Sequence, residues 1–139
     1  MKENTLTPLK IMAQDSEDLH ILSACLQDSL IPLQGLSYDA TKKCFHLFAH
    51  RYQWEGEEGS PQRIASGLSV ENVESVQFSG FDPKRKDIQD LYLLTLRHEA
   101  PYLYMIFSDN AKIRLKTEAL KIKLRDSSAP WPSLKPNHA

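Results

Sequence analysis

Between Leu91 and Arg125 the chain reads as four short runs with almost nothing between them. Leu91 to His98, Tyr102 to Phe107, Lys112 to Thr117 and Leu120 to Arg125 are separated by Ala100-Pro101, by residues 108–111 and by Glu118-Ala119. The last run is the most telling, because Leu120, Ile122 and Leu124 alternate strictly with Lys121, Lys123 and Arg125. Its residue types tolerate a helix, but a period of two puts all the apolar side chains on one face only in a strand. Four successive strands are therefore expected here. Ile64 to Val70 and Val73 to Phe78 read as two more, and Leu36 to Asp39 with Cys44 to Trp54 as a hairpin around Ala40-Thr-Lys-Lys43.

One segment breaks the pattern. Asp15 offers a carboxylate to the amides of the turn it opens, with Asp18 three residues on in the place of a capping-box acid. Leu19, Leu22, Cys25, Leu26 and Leu30 then recur at three- and four-residue steps, flanked by Ile21. The spacing predicts a helix that ends at Ile31-Pro32, because proline disfavours helical geometry in the residue before it. Pro8 to Met12 reads as a short strand ahead of it. Gly80 to Asp90 reads as a turn into at most one short helix, with Pro83 near its first position.

A strand, a helix and then many short strands predict an α+β domain with a largely antiparallel sheet and one principal N-terminal helix. A curled sheet is expected, a roll or partly open barrel of pleckstrin-homology-like form, with a flat helix-on-sheet sandwich as the alternative. At 139 residues the chain supports one domain with a real core. Its expected bounds are 8–126, after a flexible N-terminus at 1–7 and before an extended Ser/Pro-rich tail at 127–139. Trp131 is the one residue of that tail large enough to pin it to the body. Residues 55–61, Glu-Gly-Glu-Glu-Gly-Ser-Pro, read as a flexible acidic loop.

The formal charge of −1 conceals an asymmetry. Residues 1–60 carry 5 Lys+Arg against 9 Asp+Glu, and residues 61–139 carry 12 against 9, so the halves stand at −4 and +3. Such a difference bears on association rather than on fold. Cys25 and Cys44 lack paired spacing, which fits a reducing compartment. The first residues hold no apolar run of signal-peptide length, and nothing approaches the ~20 apolar residues that span a bilayer. A cytoplasmic protein with no membrane partner is expected.

Two surfaces stand out. His46, Phe48, His50, Tyr52 and Trp54 share one face of their strand, while Phe45, Leu47 and Ala49 share the other. Such a stripe ordinarily forms a second packed layer, by dimerisation or helix docking, and alternatively stacks nucleobases or an aromatic ligand. Lys112, Arg114 and Lys116, with Lys121, Lys123 and Arg125, would form one basic face if their two strands pair as a hairpin. That face suits phosphate or an acidic protein surface, although alternating lysines also keep an edge strand soluble. His46 and His50 point the same way but lie about 13 Å apart at ~3.3 Å per residue, too far to share a zinc ion. No cofactor and no metal is expected. No nucleophile motif, phosphate loop or metalloprotease motif is present, so no catalytic residue is assigned.

Asp15-Ser-Glu-Asp-Leu19, Ser23, Gln27-Asp28, Arg51, Trp54-Glu55, Gly67-Leu68, Ile113-Arg-Leu115 and Ala129-Pro-Trp131 together give the chain a recognisable profile. It resembles an uncharacterised bacterial family, the domain of unknown function DUF2948. The resemblance implies a shared fold and carries no assigned chemistry. The leading expectation for function is a non-enzymatic binding domain acting on a macromolecular partner, or on a second copy of itself, through a sheet face. Binding of an anionic ligand or nucleic acid through the basic strands ranks second, and an enzyme with a non-obvious pocket third.

Overall fold

The structure is a computed structural model and describes residues 10–52, 62–84, 90–126 and 131–132. Eleven strands and one α-helix are formed among them: β1 (Lys10–Ala13), α1 (Ser16–Leu26), β2 (Ser29–Ile31), β3 (Ser37–Asp39), β4 (Cys44–Tyr52), β5 (Gln62–Val70), β6 (Ser75–Ser79), β7 (Leu91–Glu99), β8 (Tyr102–Phe107), β9 (Lys112–Lys116), β10 (Ile122–Asp126) and β11 (Trp131–Pro132). The strands join one antiparallel sheet in the order β1-β10-β5-β4-β2-β7-β8-β9-β6, with β3 added to β4 and β11 to β5. The sheet is not closed, since β1 and β6 at its two ends do not pair with each other. An α+β domain results.

The two-residue period decides which face is inward. Phe45, Leu47 and Ala49 of β4, Leu68 and Val70 of β5, Leu103, Met105 and Phe107 of β8, and Ile113 and Leu115 of β9 are all buried in one cluster. Ala13 from one end of the sheet is in it, and Val76 and Phe78 from the other end pack against it. Both ends therefore bend toward the same core. Leu19, Leu22 and Leu26 of α1 enter that core, with the helix lying against β1, β4 and β7. Asp15 caps the helix as its spacing predicts, its Oδ1 accepting the Asp18 amide at 2.8 Å.

Three expectations need correction. The helix stops at Leu26 instead of running to Leu30. Asp28 takes a left-handed conformation (φ 65°) and donates its amide to the Leu93 carbonyl, which carries Ser29–Ile31 into the sheet as β2. Leu30 keeps helical spacing only by coincidence, and Pro32 suits a strand end as well as a helix end.

The second correction concerns the basic strands, which do not pair. β9 lies between β8 and β6, whereas β10 lies between β5 and β1. The connection between them is tied elsewhere: the Thr117 amide donates to the Pro101 carbonyl, and the Glu71 amide to the Lys121 carbonyl. Asn72 Nδ2 reaches the Ala119 carbonyl at 3.1 Å. Held at both ends, residues 117–121 send the two strands apart rather than folding one onto the other.

The third is minor: the first strand, Lys10–Ala13 among the described residues, runs one residue past the expected end at Met12. The acidic loop at 55–61, the segment 85–89, the N-terminus at 1–7 and most of the tail lie outside the described residues. Within the tail, Trp131 and Pro132 pair in register with Arg63 and Gln62.

Candidate functional site: the outer face of the sheet

Inward, the chain places one charged cluster. Alternation along β4 brings Arg51 to the core side after Ala49, and alternation along β10 brings Asp126 there after Leu124. Both are fully buried. Arg51 Nε donates to Asp126 Oδ1 at 3.0 Å and Nη2 to Oδ2 at 2.8 Å, and Ser66 Oγ donates to Oδ1 at 2.7 Å. This two-pronged pair clamps β4, β5 and β10 together and satisfies a charge that is costly to bury alone. Its position inside the sheet makes it a structural lock and not a surface that meets a ligand.

Outward, β4 presents Cys44, His46, Phe48, His50 and Tyr52, as the period predicts. Trp54 lies outside the described residues. His46 Nδ1 is 3.2 Å from Ser69 Oγ, and the Arg63 guanidinium lies 4.0 Å from the Tyr52 ring centroid. Phe48 is 55% exposed, so no second layer covers it among the described residues. One side of this side chain is backed by Gly35: a Cβ built there would come within 2.8 Å of Phe48 Cδ2. Among the described residues no group of three or more His, Cys, Asp and Glu side chains is placed to hold a metal ion.

Burial holds the His50 imidazole below its ordinary value of 6.5, with Arg63 acting in the same direction and Asp90 opposing. The folded value lies below the unfolded one, so the unfolded chain binds this proton more readily. Stability from the neutral ring is therefore complete above pH 6.5 and is lost as pH falls through the lowered native value. Melting temperatures measured between pH 8 and 5 should fall more steeply for the parent than for His50→Gln. Equal slopes would assign the ring no part in the acid response.

The six basic residues fall into two groups. Lys112, Arg114 and Lys116 face outward on β9 beside Tyr102 and Tyr104 of β8 and Arg97 of β7. Arg114 stacks on Tyr102 at 4.2 Å and Arg97 on Tyr104 at 5.5 Å, while Arg114 Nη2 also donates to Gln77 Oε1. Lys123 and Arg125 face outward on β10, next to Lys10 and Met12 of β1. Lys121 precedes that strand and forms an ion pair with Glu71 at 3.6 Å, while Lys123 pairs with the same carboxylate at 3.0 Å. The hydrogen bond from Lys123 holds the Glu71 carboxyl below the usual carboxylate range. Burial pushes the nearby Cys44 thiol up, with Glu71 and Asp39 adding to the effect.

The two surfaces expected from sequence therefore merge in part. His46 and Phe48 share an outer face with Lys123 and Arg125, with only β5 between them. Strands β1, β10, β5 and β4 contain a single acidic residue, Asp126, and it points inward. Lys10, Gly67 and Arg63 complete this face, and nothing in the sequence assigns them to it. Their placement beside the β4 and β10 side chains is set by strand register, which alternation does not encode.

No curated protein and no solved structure matches the chain. A family model does, over residues 9–138, and its description is a protein of unknown function. The matched span takes in all eleven described strands, the helix and the buried clamp. On this match the chain belongs to the DUF2948 family.

Proposed function

We propose that this domain is a non-enzymatic, cytoplasmic binding module that engages an anionic macromolecule through the outer face of its sheet. The carrying observation is charge segregation. The chain as a whole is slightly acidic, yet the outer face of β1, β10, β5 and β4 holds Lys10, Arg63, Lys123 and Arg125, balanced among the described residues only by Glu71 just past β5, which pairs with Lys123. A local field of one sign attracts a partner of the other, whatever the net charge. The bending of both sheet ends onto one core supports a pleckstrin-homology-like roll as the architecture behind this face. Among the described residues no helix is long and apolar enough to cross a membrane.

Retention on immobilised heparin, a sulfated polyanion, tests the reading. At low salt the parent should be retained, and Lys123→Glu with Arg125→Glu should pass through unretained with a melting temperature within a few degrees of the parent, because exposed charges contribute little to stability. A parent that is not retained would sink the reading.

A further inference from the structure

Across β1, β10, β5 and β4, strand register sets Lys10, Arg125, Gly67 and Phe48 in one lateral row on the outer face. Three members of that row are poor choices for the fold alone. Gly67 sits inside a strand, where glycine weakens the pairing, yet a Cβ there would meet nothing within 4 Å and the backbone is not in the left-handed region. Neither crowding nor conformation requires it. Lys10 and Arg125 stand directly opposite each other, and like charges so placed repel. Local choices that disfavour the fold, with no compensation among the described residues, mark positions kept for something outside it.

From these features we infer that the row is a binding site for single-stranded nucleic acid, with a base stacked on Phe48 above Gly67 and a phosphate between Arg125 and Lys10. This rests on the reading of the outer face as an anion-binding surface. Phe48 is suited to stacking because Gly35 backs it on one side while the Gly67 side is open. Arg125 and Phe48 lie on strands roughly 10 Å apart, at ~4.8 Å per strand, with only the glycine between them. The phosphate would relieve the repulsion between the two cations.

Neighbouring rows repeat the theme. Tyr52 faces Arg63 on one side, and His46 faces Ser69 and then Lys123 on the other. A ring on β4 with a cation across from it occurs in the His46, Phe48 and Tyr52 rows, the His50 row facing Ala65 instead, an arrangement suited to a polymer that repeats base and phosphate. A free nucleotide is better served by a concave pocket than by an open sheet face. A duplex keeps its bases stacked on each other, so a single strand is the form that can use the rings.

The test is fluorescence anisotropy with a labelled 15-nucleotide oligouridylate, run on the full chain over a range of salt. Binding is expected, with log affinity falling against log salt at a slope of about −1.4 for two phosphates, one shared by Lys10 and Arg125 and one at Lys123. Gly67→Val fills the open floor with a good strand former and should lose about tenfold or more in affinity while melting no lower than the parent. Phe48→Ala should lose a similar factor. Arg125→Glu, now opposite Lys10 as an attractive pair, should lose binding and remain folded. Absence of binding in a parent still retained on heparin would overturn this inference alone, and absence of both would overturn the broader reading as well. Equal affinity for a 15-base-pair duplex, displacement by uridine monophosphate at equal nucleotide concentration, or full binding by Gly67→Val would each overturn it. So would sedimentation of the parent as a dimer that Gly67→Val dissociates, because a second copy would then occupy the row.

Discussion

Asp126→Ala is expected to lower the unfolding free energy by about 3–5 kcal/mol, because it takes the carboxylate that faces it from a fully buried guanidinium, Arg51. A domain of this size is stable by only about 5–15 kcal/mol, so the variant should be folded marginally or not at all at 37 °C. Urea unfolding of parent and variant measures the difference. Replacing both partners by apolar residues, Arg51→Met with Asp126→Leu, should recover much of the loss, since it removes the charge along with its partner. Recovery in the double variant is what separates burial of an unpaired charge from simple loss of packing. A single variant within 1 kcal/mol of the parent would show that the clamp is not closed in solution.

Leu26→Ala is the second large effect, with an expected cost of about 2–5 kcal/mol. Leu26 is fully buried in the last turn of the helix, where α1 meets the core shared by both ends of the sheet. The cavity would open between elements that cannot close it, since the helix is followed almost at once by β2, locked between β4 and β7. The corresponding change at Ile21, which is exposed, should cost less than about 0.5 kcal/mol. Thermal or urea melts of the two variants side by side test the assignment of helix faces. Similar stability for both would reject it.

The strands from Leu91 to Arg125 were legible in sequence because alternation needs only local information: which residues are apolar, and at what period. The same signal placed Phe45, Leu47 and Ala49 inward and identified the outer stripe of β4. Partner choice was not legible. Nothing in Lys112 to Lys116 or in Ile122 to Arg125 says that the two strands will diverge, because that outcome is set by Thr117 and by hydrogen bonds from Glu71 and Asn72, far away in sequence. Leu30 was misassigned because a leucine four residues after Leu26 satisfies helix and strand alike. The Arg51–Asp126 clamp joins residues 75 apart, yet one trace of it was present. Each strand's alternation puts a charged residue at an inward position, and two opposite charges so placed call for each other.

The position of β10 has a consequence for synthesis. The first strand of the sheet finds its only partner, among the described residues, in the last long strand of the chain. Until residue 126 has left the ribosome, β1 has nothing to pair with, β5 shows a bare edge where β10 will lie, and Arg51 lacks its counter-charge. The nascent chain thus carries an exposed strand edge and an unneutralised cation through most of its translation. Pairings this distant in sequence close slowly. A chaperone that shields strand edges would act on this protein late and briefly, and a stop codon before Ile122 would remove three adjacent stabilising features at one stroke.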